Sequence, residues 1–192
     1  MTDYIKLYKG IGRAAWGYFF VYFDLKFNAV SFTPSFVGFL LLLSAIDLLS
    51  EEERELNLLH TLGAILTVWN LVSWLASFAA IELDGMLHVA DIVIGVSNIY
   101  FHFQFVTNLA SIAAKYQAEG SELDTKLLTY RSVQTVMLTV AIVLINLTQR
   151  TDFLGEYTEI VGVYATIVIA IMYLLITVFL MKALFELRKC LT

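Results

Sequence analysis

A stripe of ionisable and polar residues lies along one apolar segment near the middle of the chain. Its members are separated by steps of three or four residues, the spacing that puts side chains on one face of an α-helix. They are Asp84, His88, Asp91, Gly95, Asn98 and His102. Carboxylate and imidazole groups bind cations and pass protons, and ionisable groups at membrane depth are candidates for function. The stripe is therefore the first candidate site.

Several interpretations of this stripe stay open. It suits a helix-contact seam, in which Gly95 allows close approach and the polar groups bond to neighbouring helices. It also suits an ion or proton pathway, or a structural metal, although no HExxH-type signature accompanies it. His88 and His102 are 14 residues apart, a spacing that resembles the paired haem ligands on one helix of membrane b-type cytochromes. The sequence has no matching second pair of histidines, so we predict no cofactor. Because no metal-binding signature is present, we also predict no metal.

Polar residues in two other apolar segments are further candidates. Arg13, Asp24 and Asn28 share a stripe in the first segment, and Asn70 lies on a small, polar face of the third segment. Faces of this kind associate with other helices in lipid. We therefore expect the third segment to pack against the stripe of the fourth.

The composition shows which elements must position these residues. Of the 192 residues, 59% are hydrophobic and 15% charged, and the mean hydropathy is +0.78, well outside the range of soluble domains. We predict an all-α fold, a single transmembrane bundle over 1–192. The six helices are expected at about 11–30, 34–50, 57–81, 86–114, 130–149 and 157–181.

The last four segments are long enough to cross a membrane, which takes about 20 residues. The first two form a shorter hairpin, for which we predict Thr33 as N-cap and Pro34 as the first helical residue. With six crossings and a cytoplasmic N-terminus, ten of the 12 Lys and Arg residues lie inside, and only Lys26 and Arg150 lie outside. This bias predicts that both termini are cytoplasmic.

Several classes of function find no support in the sequence. No basic patch indicates nucleic acid, and the single cysteine, Cys190, excludes an internal disulfide and a CxxC pair. No nucleophile with a base and no phosphate-binding loop is recognisable. We therefore predict no catalytic residue and a protein that is not an enzyme.

The first hairpin carries a family-like pattern. It contains Asp24 and Asn28, followed by Pro34, Phe36, Gly38 and Phe39. This pattern resembles the opening hairpin of small uncharacterised multi-pass proteins of bacteria, which reads aspartate, asparagine, then Pro-x-Phe-x-Gly-aromatic. The resemblance covers about a fifth of the chain and implies a bacterial inner-membrane protein, with no activity attached.

These observations favour a non-enzymatic subunit of the bacterial inner membrane that forms homo-oligomers and anchors or senses for a cytoplasmic partner. The partner surface is expected at the loops around Glu51–Glu55 and Lys115–Lys126. The alternative is a small transporter or an ion or proton pathway along the polar stripe, and haem binding is a minor alternative.

Overall fold

A computed structural model of the chain describes residues 3–23, 26–27, 30–31, 34–78, 88–150 and 155–191, with side chains for 3–23, 34–78, 90, 92–144 and 164–191. The described residues form six helices: α1 Tyr4–Tyr22, α2 Ser35–Leu49, α3 Leu56–Phe78, α4 His88–Tyr116, α5 Leu123–Arg150 and α6 Gly155–Lys189. Between α1 and α2, a two-residue strand β1 (Lys26–Phe27) pairs antiparallel with β2 (Val30–Ser31). Apart from this short hairpin the fold is all-helical, as predicted.

The first helix differs from its predicted bounds of 11–30. It begins at Tyr4 because the Asp3 carboxylate accepts hydrogen bonds from the backbone N–H groups of Ile5 and Lys6, both at 3.1 Å, an N-cap arrangement. The helix ends at Tyr22. The polar first turn thus belongs to α1, which hydropathy alone does not indicate.

The start of α2 also differs from the prediction. Pro34 is the N-cap, Ser35 is the first helical residue, and no side chain caps the helix. Thr33, the predicted cap, lies outside the described residues.

The later helices extend beyond their apolar segments. Helix α5 begins at Leu123, seven residues before the predicted start, and α6 continues to Lys189, eight residues beyond the predicted end. The side-chain carbonyl of Gln117 accepts the backbone N–H groups of Leu123 (2.8 Å) and Asp124 (3.2 Å). With Gly120 at φ +80°, these bonds make the α4–α5 connection an ordered turn.

The six helices form a closed ring. Each helix packs on the next in chain order, and α1 also packs on α6. Helices α1 and α2 approach most closely at two glycines, because a Cβ atom on Gly38 would lie 2.7 Å from the carbonyl oxygen of Gly17. Small residues at such crossings let helix backbones come together.

Both chain ends and the connections 50–55 and 117–122 meet at one end of the ring, which we call the charged end. Lys6 Nζ lies 2.6 Å from Glu51 Oε1, the rings of Tyr4 and Tyr116 are in edge contact at 6.1 Å, and the Arg188 guanidinium lies 3.9 Å from the centre of the Tyr8 ring. These contacts join α1 to the α2–α3 connection, to the end of α4 and to the end of α6.

The hydrophobic core occupies the half of the ring next to the charged end. It consists of residues between Leu7 and Tyr18 on α1, Phe39 and Leu49 on α2, Leu56 and Leu66 on α3, Phe101 and Ala113 on α4, Leu123 and Leu127 on α5, and Leu180 and Leu187 on α6. In the other half, large apolar side chains point outward, among them Val72 on α3, Val140 on α5 and Ile171 on α6.

Three of the described helices are long and apolar enough to cross a membrane: α3, the part of α5 over Leu123–Leu144 and the part of α6 over Tyr164–Lys189. Within their most apolar 18 residues, only 22%, 11% and 28% are buried. Apolar helices that expose most of their surface are suited to lipid and not to water. The chain is therefore a membrane protein.

The prediction of four secure spans was wrong by one. Helix α4 is long enough but is not among the three, and its described part carries the polar residues Asn98, His102, Gln104 and Asn108. Helix α2 is apolar and only 15 residues long, about 22 Å at 1.5 Å per residue.

Candidate functional site

His102 lies at the centre of the ring, enclosed by aromatic side chains from three helices. Its ring centre is 5.4 Å from that of Tyr18 and 5.2 Å from that of Tyr22 on α1, 5.8 Å from Phe39 on α2 and 5.3 Å from Phe101 on α4. The side chain is only 5% exposed. Helix α4 thus reaches across the ring to α1.

The hydrogen bonds around His102 are incomplete. Its Nδ1 lies 3.4 Å from the hydroxyl of Tyr18, whereas its Nε2 is buried without a hydrogen-bond partner among the described residues. The hydroxyl groups of Tyr22 and Tyr173 are also buried and complete no hydrogen bond of ordinary geometry there, but with their rings 5.0 Å apart they lie close enough to interact with each other. Unpaired polar atoms in an interior are costly, so each asks for an explanation.

A small cavity between α4, α5 and α6 lies beside His102. Its volume is about 10 Å³, close to the volume that one ordered water molecule needs. Its lining residues are Ile99, His102, Phe103, Arg131, Gln134, Thr135, Leu138 and Tyr173. Five of them carry nitrogen or hydroxyl groups that can donate hydrogen bonds, although the hydroxyl of Thr135 donates to the Arg131 carbonyl at 2.9 Å.

Arg131 is the charged group of this cavity. One terminal nitrogen donates to the Thr107 hydroxyl at 2.8 Å, the other approaches the Ser132 hydroxyl at 3.4 Å, and the guanidinium lies 4.1 Å from the centre of the Phe103 ring. Its Nε is buried and unpartnered among the described residues. Arg131 comes eight residues after the first residue of α5, about 12 Å along the axis.

Gln134 and Thr177 link α5 to α6 at the same level. The amide nitrogen of Gln134 donates to the Thr177 hydroxyl oxygen at 3.0 Å, and that hydroxyl donates in turn to the Tyr173 carbonyl at 2.9 Å. Both side chains are buried. The pair holds the α5 and α6 walls of the cavity together.

The structure describes the side chains of half of the predicted stripe. Gly95 faces α5, since a Cβ on it would lie 3.5 Å from Ile142, and the Asn98 side-chain oxygen is buried without a partner among the described residues. His102 is in the central cluster. Asp84 lies outside the described residues, and for His88 and Asp91 only their position on α4 is described.

Helix α3 packs on α4, as expected for these two segments, but its described contacts do not include the stripe. Asn70 accepts from the Ser35 hydroxyl at 2.7 Å and donates to the Leu66 carbonyl at 2.8 Å, so it joins α3 to the start of α2. On the α4 side, α3 meets Phe101, which is next to Gly63. The helical period fixes which residues share a face, but not which neighbour that face meets.

Of the candidates in the first segment, the structure describes Arg13, which lies outside the central cluster. Arg13 is exposed and donates to the hydroxyl of Ser44 on α2. Asp24 and Asn28 lie outside the described residues.

The predicted partner loops form one ordered surface at the charged end. The Tyr116 hydroxyl donates to Glu52 at 2.6 Å, and Lys115 Nζ lies 3.6 Å from Glu53 and 3.1 Å from the Glu52 carbonyl. The Glu51 carboxylate raises the pKa of Lys6 through a hydrogen bond and its charge. The two loops and the N-terminal helix are therefore tied together.

Comparisons with known proteins give no information on the function of this chain. No family model, curated protein or solved structure matches this chain. Within the described part of the chain, no three His, Cys, Asp or Glu residues cluster as metal ligands do.

The cavity contains residues that the sequence analysis did not select. Arg131, Gln134, Thr135 and Leu138 follow each other at helical spacing and form a stripe on α5, which was a usable signal. Arg131 was taken for a residue at the membrane boundary because the span was expected to begin at 130. Tyr18, Tyr22 and Tyr173 gave no signal, since isolated tyrosines in apolar helices usually serve packing.

Proposed function

We propose that the chain is a non-enzymatic subunit of the bacterial inner membrane that forms homo-oligomers and anchors or senses for a cytoplasmic protein. In this proposal, all six helices lie in the membrane, both termini are cytoplasmic, and the charged end is the docking surface. The observation that carries the proposal is the ordered charged end, where two connections and both chain ends meet. A surface held in one conformation binds with a smaller entropic cost than flexible loops do.

The chemistry of the charged end indicates the kind of partner. Glu51, Glu55, Glu119 and Glu122 expose carboxylates there, and Arg54 is an exposed cation between them. Of these carboxylates, Glu119 and Glu122 take part in no ion pair among the described residues, and they favour contact with basic groups of a partner. The opposite half of the ring exposes apolar side chains, which suit lipid or a second copy of the chain and no soluble partner.

The distribution of cations supports the proposed orientation. Lys6, Arg54 and Lys115 lie at the charged end, as do Arg188 and Lys189 in the last turn of α6. Positively charged residues favour the cytoplasmic side of a membrane. Because Arg131 lies well inside α5, the argument depends on the residues at the helix ends and not on Arg131.

Purification of a tagged chain from its native membrane in a mild detergent tests the proposal. We expect a defined oligomer with a soluble protein at a fixed stoichiometry, measured by native mass spectrometry. Reversing the exposed charges Glu119→Lys and Glu122→Lys should release that protein, because neither carboxylate takes part in an ion pair among the described residues. The matched control is Lys26→Glu, on the side proposed to face away from the cytoplasm.

A chain that purifies as a lone monomer would contradict both the oligomer and the partner. Loss of the soluble protein in Lys26→Glu as well as in the double variant would show that binding does not take place at the charged end.

The unpartnered His102 Nε2 beside a polar cavity favours a second candidate, an ion or proton pathway along the α4 stripe. In liposomes with a pH or ion gradient, Asp91→Asn should then abolish flux and leave the oligomer intact. The exposed Asp47→Asn on α2 is the control. Unchanged flux in Asp91→Asn would remove this candidate.

A further inference from the structure

The cavity beside His102 brings together hydrogen-bond donors that lack acceptors. His102 Nε2, Arg131 Nε and the Tyr173 hydroxyl are all buried without a partner among the described residues, and all three residues line the cavity. Gln134 lines it too and uses one amide N–H on Thr177, so its second N–H is available. A site in which donors converge recognises an acceptor.

The contact with Tyr18 favours one position for the proton on His102. The Tyr18 hydroxyl has His102 Nδ1 as its neighbour at 3.4 Å. A buried phenol donates its proton to an available acceptor, and a neutral imidazole carries its own proton on the other nitrogen. When Tyr18 donates to Nδ1, the Nε2 of His102 becomes a donor directed away from Tyr18, on the side of the cavity.

Arg131 supplies a positive charge that no carboxylate neutralises within the described part of the chain. Its contacts there are two hydroxyl groups and the face of Phe103, and the ion pairs of that part do not include it. Arginine stays protonated in proteins. A cation within an apolar helix is stabilised strongly by an anion, because the low dielectric constant strengthens their attraction.

The size of the cavity selects the ligand. Its free volume of about 10 Å³ is that of one water-sized species and excludes a phosphate headgroup or a carboxylic acid with a side chain. A halide ion is somewhat larger than water, so the lining side chains have to move apart slightly to admit it. We propose that this cavity is a binding site for a single small monovalent inorganic anion of the chloride type, held by Arg131, His102, Tyr173 and Gln134. The site lies on α4, α5 and α6, away from the exposed charged-end surface, so it does not depend on the proposed partner.

Thermal unfolding of the purified full chain in detergent tests the site, with sodium chloride compared with sodium gluconate at equal ionic strength. The midpoint should rise saturably with chloride, by roughly 5 °C or more when chloride exceeds its Kd ~100-fold. Bromide should act in the same way and give an anomalous diffraction peak in the cavity. Equal midpoints in chloride and gluconate would show that the cavity holds only water and would overturn the proposal.

Two variants locate the response. Arg131→Gln should abolish the chloride-dependent rise in the midpoint. Lys126→Gln should retain it, because this substitution removes an equal charge from the same helix at an exposed residue that does not line the cavity. Tyr173→Phe removes one donor from the site, and its midpoint in gluconate serves as the reference for its own response to chloride.

In Tyr173→Phe the affinity for chloride should fall roughly tenfold, as expected for one hydrogen bond to a charged group. If Arg131→Gln does not fold, Tyr173→Phe alone decides. A chloride response that persists unchanged in Tyr173→Phe would place the anion elsewhere and overturn the proposal.

Discussion

At the scale of residues, the described interior of this protein contains several buried polar atoms that form no hydrogen bond. His102, Tyr22, Tyr173, Asn98 and Arg131 each leave a buried polar atom unpaired among the described residues. Most buried polar atoms in folded proteins are paired, and water or a ligand accounts for many exceptions. The cavity beside His102 provides the space for such a ligand next to three of these five residues.

The bond from Gln134 to Thr177 is the contrasting case, because both side chains are buried and paired at 3.0 Å. Thr177→Val keeps the shape and leaves the Gln134 amide without its acceptor, so we expect a loss of about 1–3 kcal/mol in the free energy of unfolding. Gln134→Met removes the donor. The double variant should cost less than the sum, with a coupling of about 0.6 kcal/mol and at most about 1.7 kcal/mol, the range for such bonds between membrane helices.

Denaturant titration of the four proteins in one detergent measures this coupling. Strictly additive losses would mean that the two side chains do not interact in the folded protein. The α5 and α6 walls of the cavity would then be held by apolar packing alone.

At the scale of elements, the crossing of α1 and α2 is the tightest helix contact that the glycines reveal. A Cβ on Gly38 would lie 2.6 Å from the backbone nitrogen of Val21 and 2.7 Å from the Gly17 carbonyl oxygen. Backbone atoms cannot turn aside as side chains do. Any larger residue therefore has to push the two helices apart.

Gly38→Ala should consequently lower the free energy of unfolding by about 1–3 kcal/mol, the usual cost of overpacking. Gly95→Ala is the matched control, because its Cβ would meet only Ile142 at an ordinary 3.5 Å. Alanine favours a helix over glycine by up to about 1 kcal/mol, so this variant should be neutral or slightly stabilised. Thermal unfolding in detergent compares the two, and equal effects would disprove the close crossing.

The sequence predicted the elements better than their contacts. Six helices follow from long apolar segments, and their ends were misplaced where a polar turn continues a helix, as at Asp3 and Gln117, which cap it through side-chain bonds. His102 was recognised because ionisable groups are rare in such segments. Tyr18 and Arg131 were not, since the contacts that give them meaning come from other helices.

The same reasoning applies to the neighbours of the α4 stripe. Helical periodicity places Gly95 and His102 on one side of α4. That side contacts more than one helix, because Gly95 meets α5 whereas His102 also reaches α1. Which helices surround α4 depends on the closure of the ring by α1 and α6. No spacing within one segment contains that information.

At the scale of the whole molecule, the ring has two unlike halves. The half next to the charged end contains the buried core, and the far half exposes large apolar residues on α3, α4, α5 and α6. A membrane protein gains little from apolar contacts between helices, because lipid is equally apolar. Polar links such as Lys6–Glu51 and Tyr116–Glu52 therefore matter for holding the charged end in one arrangement.

The orientation of this ring in the membrane can be measured with the protein's own cysteine. Cys190 is the only cysteine of the chain, is exposed and follows the last residue of α6 at the charged end. If that end is cytoplasmic, a membrane-impermeant maleimide should label Cys190 in inside-out vesicles and not in right-side-out vesicles.

In a Cys190→Ser background, Glu119→Cys should label from the same side, because its loop belongs to the charged end, and Lys26→Cys from the opposite side. Labelling of positions 190 and 119 from different sides of the membrane would contradict the closed ring itself. Labelling of both positions from outside would agree with the ring but reverse its orientation. The proposed docking surface would then face away from the cytoplasm.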